Sequence, residues 1–225
     1  MLDILAVSPH PDDVELCCGG LIAKMRSKGY RIGIVDLTKG ELGTEGTPET
    51  RMQEAAKAAR ILGVQIRENM DFGDCRLGSG FDEAKRLAGV IRQYRPSVLI
   101  VPYGDGHHPD HAGSRKLADK AVFLAKLKKV QTGHDAHRVR IVAYYMLRKS
   151  FDPSFIVDVT ESYEKKLEAI KAYKSQMGLT FGTEGLLKSI ELRDQLYGSK
   201  IGVQYGEPFF CDTPLKIDDL VVFSK

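Results

Sequence analysis

The sequence predicts an α/β fold, a Rossmann-like three-layer sandwich with a mostly parallel sheet and its site at the carboxyl ends of the strands. Three observations carry this prediction. Short apolar runs alternate with helix-length segments through the first hundred residues, the pattern of right-handed βαβ units. One run, "SVLIVPY" (97–103), is continuously apolar, which suits a strand covered on both faces. The chain of 225 residues, 43% hydrophobic, can bury a real core and shows no repeat, low-complexity tract or linker, so residues 1–225 are read as one domain.

The elements follow in order. "LDILAVS" (2–8) is a short buried strand, and 14–29 has helix length and stops on Gly29. A second strand spans 31–38. The glycine- and threonine-rich stretch after it is a loop, and "TRMQEAAKAARILGV" (50–64) carries strong helix formers with apolar residues three and four apart. A short strand near "RENMDF", a helix over 82–95 and the 97–103 strand come next. Beyond them, "GHHPDHAGSRKLADKAVFLAKL" passes from loop to helix, 138–148 and 154–160 read as strands, and 161–176 as a helix. The last fifty residues show no comparable pattern.

Composition narrows the function. There are 33 basic and 30 acidic residues, a net charge of +3, so no extended basic face for nucleic acid or a membrane surface is expected. Cys17, Cys18, Cys75 and Cys211 lack the paired spacing of zinc ribbons or disulfide frameworks and are read as buried thiols in a reducing compartment, the cytoplasm. The N-terminus has no basic leader, and no run approaches the ~20 apolar residues that cross a bilayer.

Two segments rich in histidine and aspartate follow predicted strands: "HPDD" after 2–8, and "GDGHHPDH" after 97–103. In a parallel sheet both emerge at one edge, which brings His10, Asp12, Asp13, His107, His108, Asp110 and His111 together. Alone, HPDD is as well explained by an aspartate capping a helix, and HPDH by a surface turn. Together they suit a divalent ion, since imidazole and carboxylate are ligands that zinc accepts, and a His/Asp/His set leaves the fourth position of a catalytic site open. Adjacent side chains diverge, so of Asp12 and Asp13 one is expected to ligate and the other to take a proton from the water that the ion acidifies.

"SPHPDDVE" paired with "HPDHAG" resembles the PIG-L/LmbE family of metal-dependent N-deacetylases. "TRMQEA", "VDVTESYEKKLEAIKAYKSQ" and "GSKIGVQYGEPFF" extend the likeness over nearly the whole chain and resemble the branch acting in bacillithiol biosynthesis. Val14 departs from the broad family pattern, in which an acidic residue follows the two aspartates. The resemblance implies hydrolysis of the N-acetyl group of an N-acetylglucosamine conjugate, N-acetylglucosaminyl malate, with release of acetate. It implies Zn²⁺, with Fe²⁺ or Co²⁺ compatible, held by His10, Asp13 and His111. Asp12 is then general base and acid, and His108, protonated and oriented by Asp110, stabilises the oxyanion. Arg51 matches an arginine at the substrate, and Tyr103, the last residue of the 97–103 strand, is assigned with it to substrate binding. A homo-oligomer, trimer or hexamer, is also implied.

Other residues are read more plainly. His107, His134 and His137 are taken as loop residues, and Cys17 and Cys18 as packing. The 178–187 segment is a candidate cover over the site, and Tyr197 and Tyr205 are candidate substrate contacts. The competing functions are the same chemistry on another N-acetyl sugar or thiol conjugate, a metal-binding protein without turnover, and a nucleotide-binding module. The G-x-G-x-x-G fingerprint that the last requires does not follow the first strand.

Overall fold

A computed structural model describes residues 1–104, 108–177, 182–219 and 221, with the side chain of residue 183 not described. One seven-stranded sheet runs in the order β3-β2-β1-β4-β5-β7-β6. Its strands are β1 (Ile4–Ser8), β2 (Ile32–Asp36), β3 (Ile66–Asn69), β4 (Val98–Pro102), β5 (Ile141–Tyr145), β6 (Phe155–Asp158) and β7 (Gly206–Phe210). The first five are parallel, and β7 lies antiparallel between β5 and β6. The α/β sandwich and its mostly parallel sheet are therefore as the sequence predicts.

The helices are α1 (Asp13–Ser27), α2 (Pro48–Leu62), α3 (Phe81–Tyr94), α4 (Pro109–Ala125), α5 (Tyr163–Ile170) and α6 (Gly182–Ser199). Ile4, Ala6, Ile32 and Ile34 face α1, α2 and α5, while Leu5, Val7, Val35 and Val101 face α3 and α4. Alternate residues of each strand thus feed opposite cores, as the pleat requires. The predicted 161–176 helix is interrupted: 3₁₀ turns at Thr160–Ser162 and Lys174–Gln176 flank a short α5.

Strand β7 and helix α6 lie in the stretch that the sequence left unread. Glu207 and Pro208 are poor strand formers, yet both belong to β7. Pro208 is tolerated because the ladder with β5 involves only Phe209 and Phe210. Glu207 is buried because it has partners: Oε1 and Oε2 accept from the amides of Gly20 and Leu21 at 2.9 and 2.7 Å. Those amides are free because α1 is kinked at Cys18 (φ −143°, ψ 21°). The carbonyl of Leu16, freed at the same kink, accepts from Arg193 Nη2 of α6 at 2.6 Å. Inserted side chains thus account for the bend. A Cβ on Gly20 would lie 2.8 Å from Val159 Cβ and 2.9 Å from Glu207 Oε1, so this approach requires glycine. Fully buried Lys166 completes the network, 2.6 Å from Asp194 and 2.7 Å from Glu207.

Candidate functional site

Strands β1 and β4 are neighbours and parallel, and strand order runs outward from them in opposite directions. This is the switch point where open α/β sheets form a crevice at their carboxyl ends. The loops carrying HPDD and HPDH both leave the sheet there.

The first loop is held rigidly, carbonyl by carbonyl. Pro9 O accepts from the amide and hydroxyl of Thr38 (3.1 and 3.0 Å), and His10 O from Ser8 Oγ (2.5 Å). Pro11 O accepts from Arg51 Nη2 (2.7 Å). This framework holds Asp12 at φ 122°, a conformation that costs a non-glycine residue roughly 1–3 kcal/mol and persists only where surroundings impose it. Asp12 occupies the N-cap position of α1 but makes no side-chain cap bond. The capping explanation of HPDD therefore fails.

Asp12 instead faces Arg51, whose Nη2 donates to Oδ2 at 3.1 Å. Burial pushes the Asp12 carboxyl up to about 7 against the pull of Arg51. Asp13 behaves oppositely. Its Oδ2 is 3.1 Å from His10 Nδ1 and its Oδ1 is 3.5 Å from His111 Nε2. Burial opposes its ionisation, but these imidazoles hold the carboxyl well below the usual range. Two adjacent aspartates thus have opposite proton affinities, as a ligand and a base would need.

Donor atoms of His10, Asp13 and His111 lie within 4.8 Å of one another. His10 Nε2 is 3.2 Å from both Asp110 Oδ2 and Asp74 Oδ1, so a carboxylate holds the ring's far side and presents Nδ1 to the shared space. Although burial works against it, Asp110, Asp13 and Asp74 push His10 up to about 12. That negative surround and the N/O donor set fit a divalent cation of borderline softness.

Asp110 corrects one expectation. Its carboxylate does not orient His108: Oδ2 accepts from Cys75 N (2.7 Å) and bonds His10, and Oδ1 accepts from Leu77 N (2.9 Å). Gly113 makes this close packing feasible, since a Cβ there would sit 2.1 Å from Leu77 O. It is the backbone N–H of Asp110 that reaches His108, donating to Nδ1 at 3.2 Å. His108 is the N-cap of α4, and with Nδ1 accepting, a neutral ring carries its proton on Nε2. Burial and the neighbouring His10 and His111 lower its pKa, so it stands as a neutral donor rather than the protonated group the sequence suggested.

These groups open into a cavity of about 740 Å³. Arg51, far from a surface residue, is 5% exposed and lines it. Tyr103 does not: its ring packs on Phe151 and Phe210 beneath Arg115 and is not among the lining residues. Tyr197 is buried and Tyr205 stacks on Tyr163 at 3.6 Å; neither lines the cavity. Leu186, Ile190 and Arg193 of α6 do, whereas 178–181 of the expected cover lie outside the described residues, as does His107. His137 is a loop residue bonded to Pro96 O (2.8 Å). Cys17, Cys18 and Cys211 are buried as expected, but Cys75 is exposed and lies on the cavity wall. Leu186 falls within the 178–187 segment named as a candidate cover, whereas Asp74, Ile190 and Arg193 carried no recognisable signal: they lie neither in a strand-end motif nor at a ligand-like spacing.

Fold and site define an α/β protein with a His/Asp/His centre suited to a divalent cation and an aspartate set beside it. Residues 5–122 match the PIG-L family, described as GlcNAc-PI de-N-acetylase. The chain is 31% identical over 222 residues to diacetylchitobiose deacetylase of Thermococcus kodakarensis, covering 91% of this chain and 80% of that protein. It is 27% identical over 203 residues to the probable N-acetyl-alpha-D-glucosaminyl L-malate deacetylase 2 of Bacillus subtilis, covering 84% and 86%. The crystal structure of a conserved protein from Thermus thermophilus superposes with a TM-score of 0.92 at 38% identity, over 98% of this chain and 99% of that one. The chain belongs to the PIG-L family.

Proposed function

We propose that this protein is a metal-dependent hydrolase that removes the N-acetyl group from an N-acetylglucosamine conjugate and releases acetate. The observation that carries the reading is the pairing, in one cavity, of the His10/Asp13/His111 donor set with Asp12, a carboxyl raised to about 7. A divalent ion there, Zn²⁺ or alternatively Fe²⁺ or Co²⁺, supplies Lewis acidity toward a carbonyl and a water. Asp12 takes the proton from the attacking water and returns it to the departing amine. His108 Nε2–H donates to the developing oxyanion. Arg51 holds Asp12 in place and presents its remaining edge to the substrate. Asp110 and Asp74 position His10.

N-acetylglucosaminyl malate is the proposed substrate, and the Bacillus relative supports it. The diacetylchitobiose deacetylase is at least as similar, so the second reading is deacetylation of an N-acetylglucosamine oligomer. Among the described residues no helix is long and apolar enough to cross a membrane. A cytoplasmic homo-oligomer, trimer or hexamer, without nucleic-acid partners completes the proposal, and sedimentation of the purified chain tests its assembly.

The deciding assay is acetate release from N-acetylglucosaminyl malate, diacetylchitobiose and free N-acetylglucosamine, by protein stripped with chelator and then reloaded with Zn²⁺ or Fe²⁺. Loss on stripping and return on loading, with the malate conjugate fastest, is expected. Metal-independent release on every substrate refutes the reading; faster release from diacetylchitobiose selects the second.

A further inference from the structure

A second group of ligating atoms lies in the same cavity wall and shares no residue with the first. Donor atoms of Asp74, Cys75 and His108 converge within 4.8 Å of one another. Cys75 is exposed, whereas Asp74, like His10, Asp13 and His111, is buried, so the thiol is the solvent-facing member of this group. The loop beneath it is pinned: Cys75 N donates to Asp74 Oδ1 at 2.9 Å and to Asp110 Oδ2 at 2.7 Å, and Asp74 Oδ2 accepts from Leu42 N at 3.0 Å. A thiolate, an imidazole and a carboxylate form a softer set than the first, one that selects Zn²⁺, Co²⁺ or Cd²⁺ over oxygen-preferring Mg²⁺ or Ca²⁺.

We propose that Asp74, Cys75 and His108 form a second, weaker divalent-cation site, and that a zinc ion bound there inhibits the enzyme by taking His108 out of the reaction. Binding releases one proton, from the Cys75 thiol, and forms a metal–sulfur bond. His108 stays neutral overall. For Nε2 to ligate, its proton leaves and another is taken up on Nδ1, which ends the hydrogen bond that Nδ1 now accepts from Asp110 N–H. The Nε2–H proposed to face the oxyanion is lost in the same event.

Three features make the site weak, so that it fills only with metal in excess. The tautomer change removes a helix-capping bond. Asp74 already accepts from Leu42 N–H and Cys75 N–H, and its Oδ1 is 3.2 Å from His10 Nε2. The His10 and His108 rings are 4.7 Å apart, so a second dication would be repelled by one in the first site.

The test uses the full chain loaded with one equivalent of Zn²⁺ and titrated with Co²⁺. A sulfur-to-cobalt charge-transfer absorption that saturates at one further equivalent is expected in the native protein, with Mg²⁺ producing nothing, and Cys75→Ser should lack it. Under turnover, excess Zn²⁺ should inhibit the native enzyme. Cys75→Ser should match native activity at one equivalent yet need at least about tenfold more Zn²⁺ for half-inhibition, the lower end of what losing even an outer partner of a metal site costs. Excess Zn²⁺ should also protect Cys75 of the native chain from alkylation, a readout that needs no variant. No thiolate absorption, or one that persists in Cys75→Ser because Cys17 on the same wall is the ligand, overturns the site. Absorption lost while zinc inhibition is unchanged overturns the inhibitory role. The spectroscopic and alkylation readouts stand even if acetate is not the product, so failure here is distinct from failure of the proposed reaction.

Discussion

Replacing Arg51 with methionine keeps most of the side chain's bulk and removes the charge 3.1 Å from Asp12 Oδ2. Arg51 and Asp12 are 6% and 16% exposed in their side chains, so solvent screens the pair little. At an effective dielectric of ~20, Coulomb's law gives about 5 kcal/mol between unit charges 3.1 Å apart. Because desolvation offsets part of this, aspartates beside an arginine are lowered by only about 1–3 units. Asp12 sits near 7 with Arg51 in place, and must be ionised to accept a proton. Its loss should therefore move the acid limb of kcat/KM for acetate release upward by about 1–3 pH units. At pH 7 the variant should be slower by roughly fivefold to five-hundredfold, recovering as pH rises. A bound cation lowers both limbs together, so the displacement between profiles is the predicted quantity. If the limb stays in place and the loss is the same at every pH, Arg51 does not act through Asp12, and the substrate-binding role alone remains.

Further outcomes follow from other contacts. Asp12→Asn should retain metal, measured by mass spectrometry or elemental analysis, and lose about 10²–10⁴-fold in turnover; a metal-replete, active variant would remove Asp12 from the reaction. Asp110→Asn, which weakens the grip on His10 Nε2 and on the 75–77 loop, should loosen metal binding by about 10–100-fold in a chelator competition. Lys166→Met leaves buried Glu207 without its cation and buried Asp194 with Arg193 alone, and should cost about 3–5 kcal/mol of stability by denaturant unfolding. A change below ~1 kcal/mol would show that the network adds no more than a surface ion pair.

What was legible in the sequence was local to strand ends. HPDD and HPDH declare themselves because each joins ligand types to a strong apolar strand, and parallel pairing of β1 with β4 brings them together. Arg51 was legible only through family likeness, and its carboxylate partner could not be foreseen because Asp12's orientation depends on a strained backbone. Asp110 misled because closeness to His108 in sequence is not closeness of the carboxylate: on the first turn of α4 it points toward His10 and the 75–77 loop. Asp74 was invisible, being an acidic residue in an ordinary loop. β7 was hidden by Glu207 and Pro208, whose propensities oppose a strand and whose tolerance depends on partners from α1 and α5 and on a β5 ladder that stops short of Pro208. The expected burial of all four cysteines held where a helix or strand covers them and failed at Cys75, in a loop at the cavity mouth.

The placement of β7 between β5 and β6 has a bearing on how the chain is made. A ribosome releases β6 some fifty residues before the strand that joins it to the rest of the sheet, so β6 waits with an unpaired edge while the stretch between it and β7 emerges. Lys166 waits too, one of its two counter-charges being Glu207, and the bend in α1 lacks the carboxylate that satisfies its amides. The half-sheet β3-β2-β1-β4-β5 can assemble during synthesis, but the α1–α6 wall of the cavity is fastened only when β7 arrives. Until then, an exposed strand edge makes the nascent protein a natural client for chaperones.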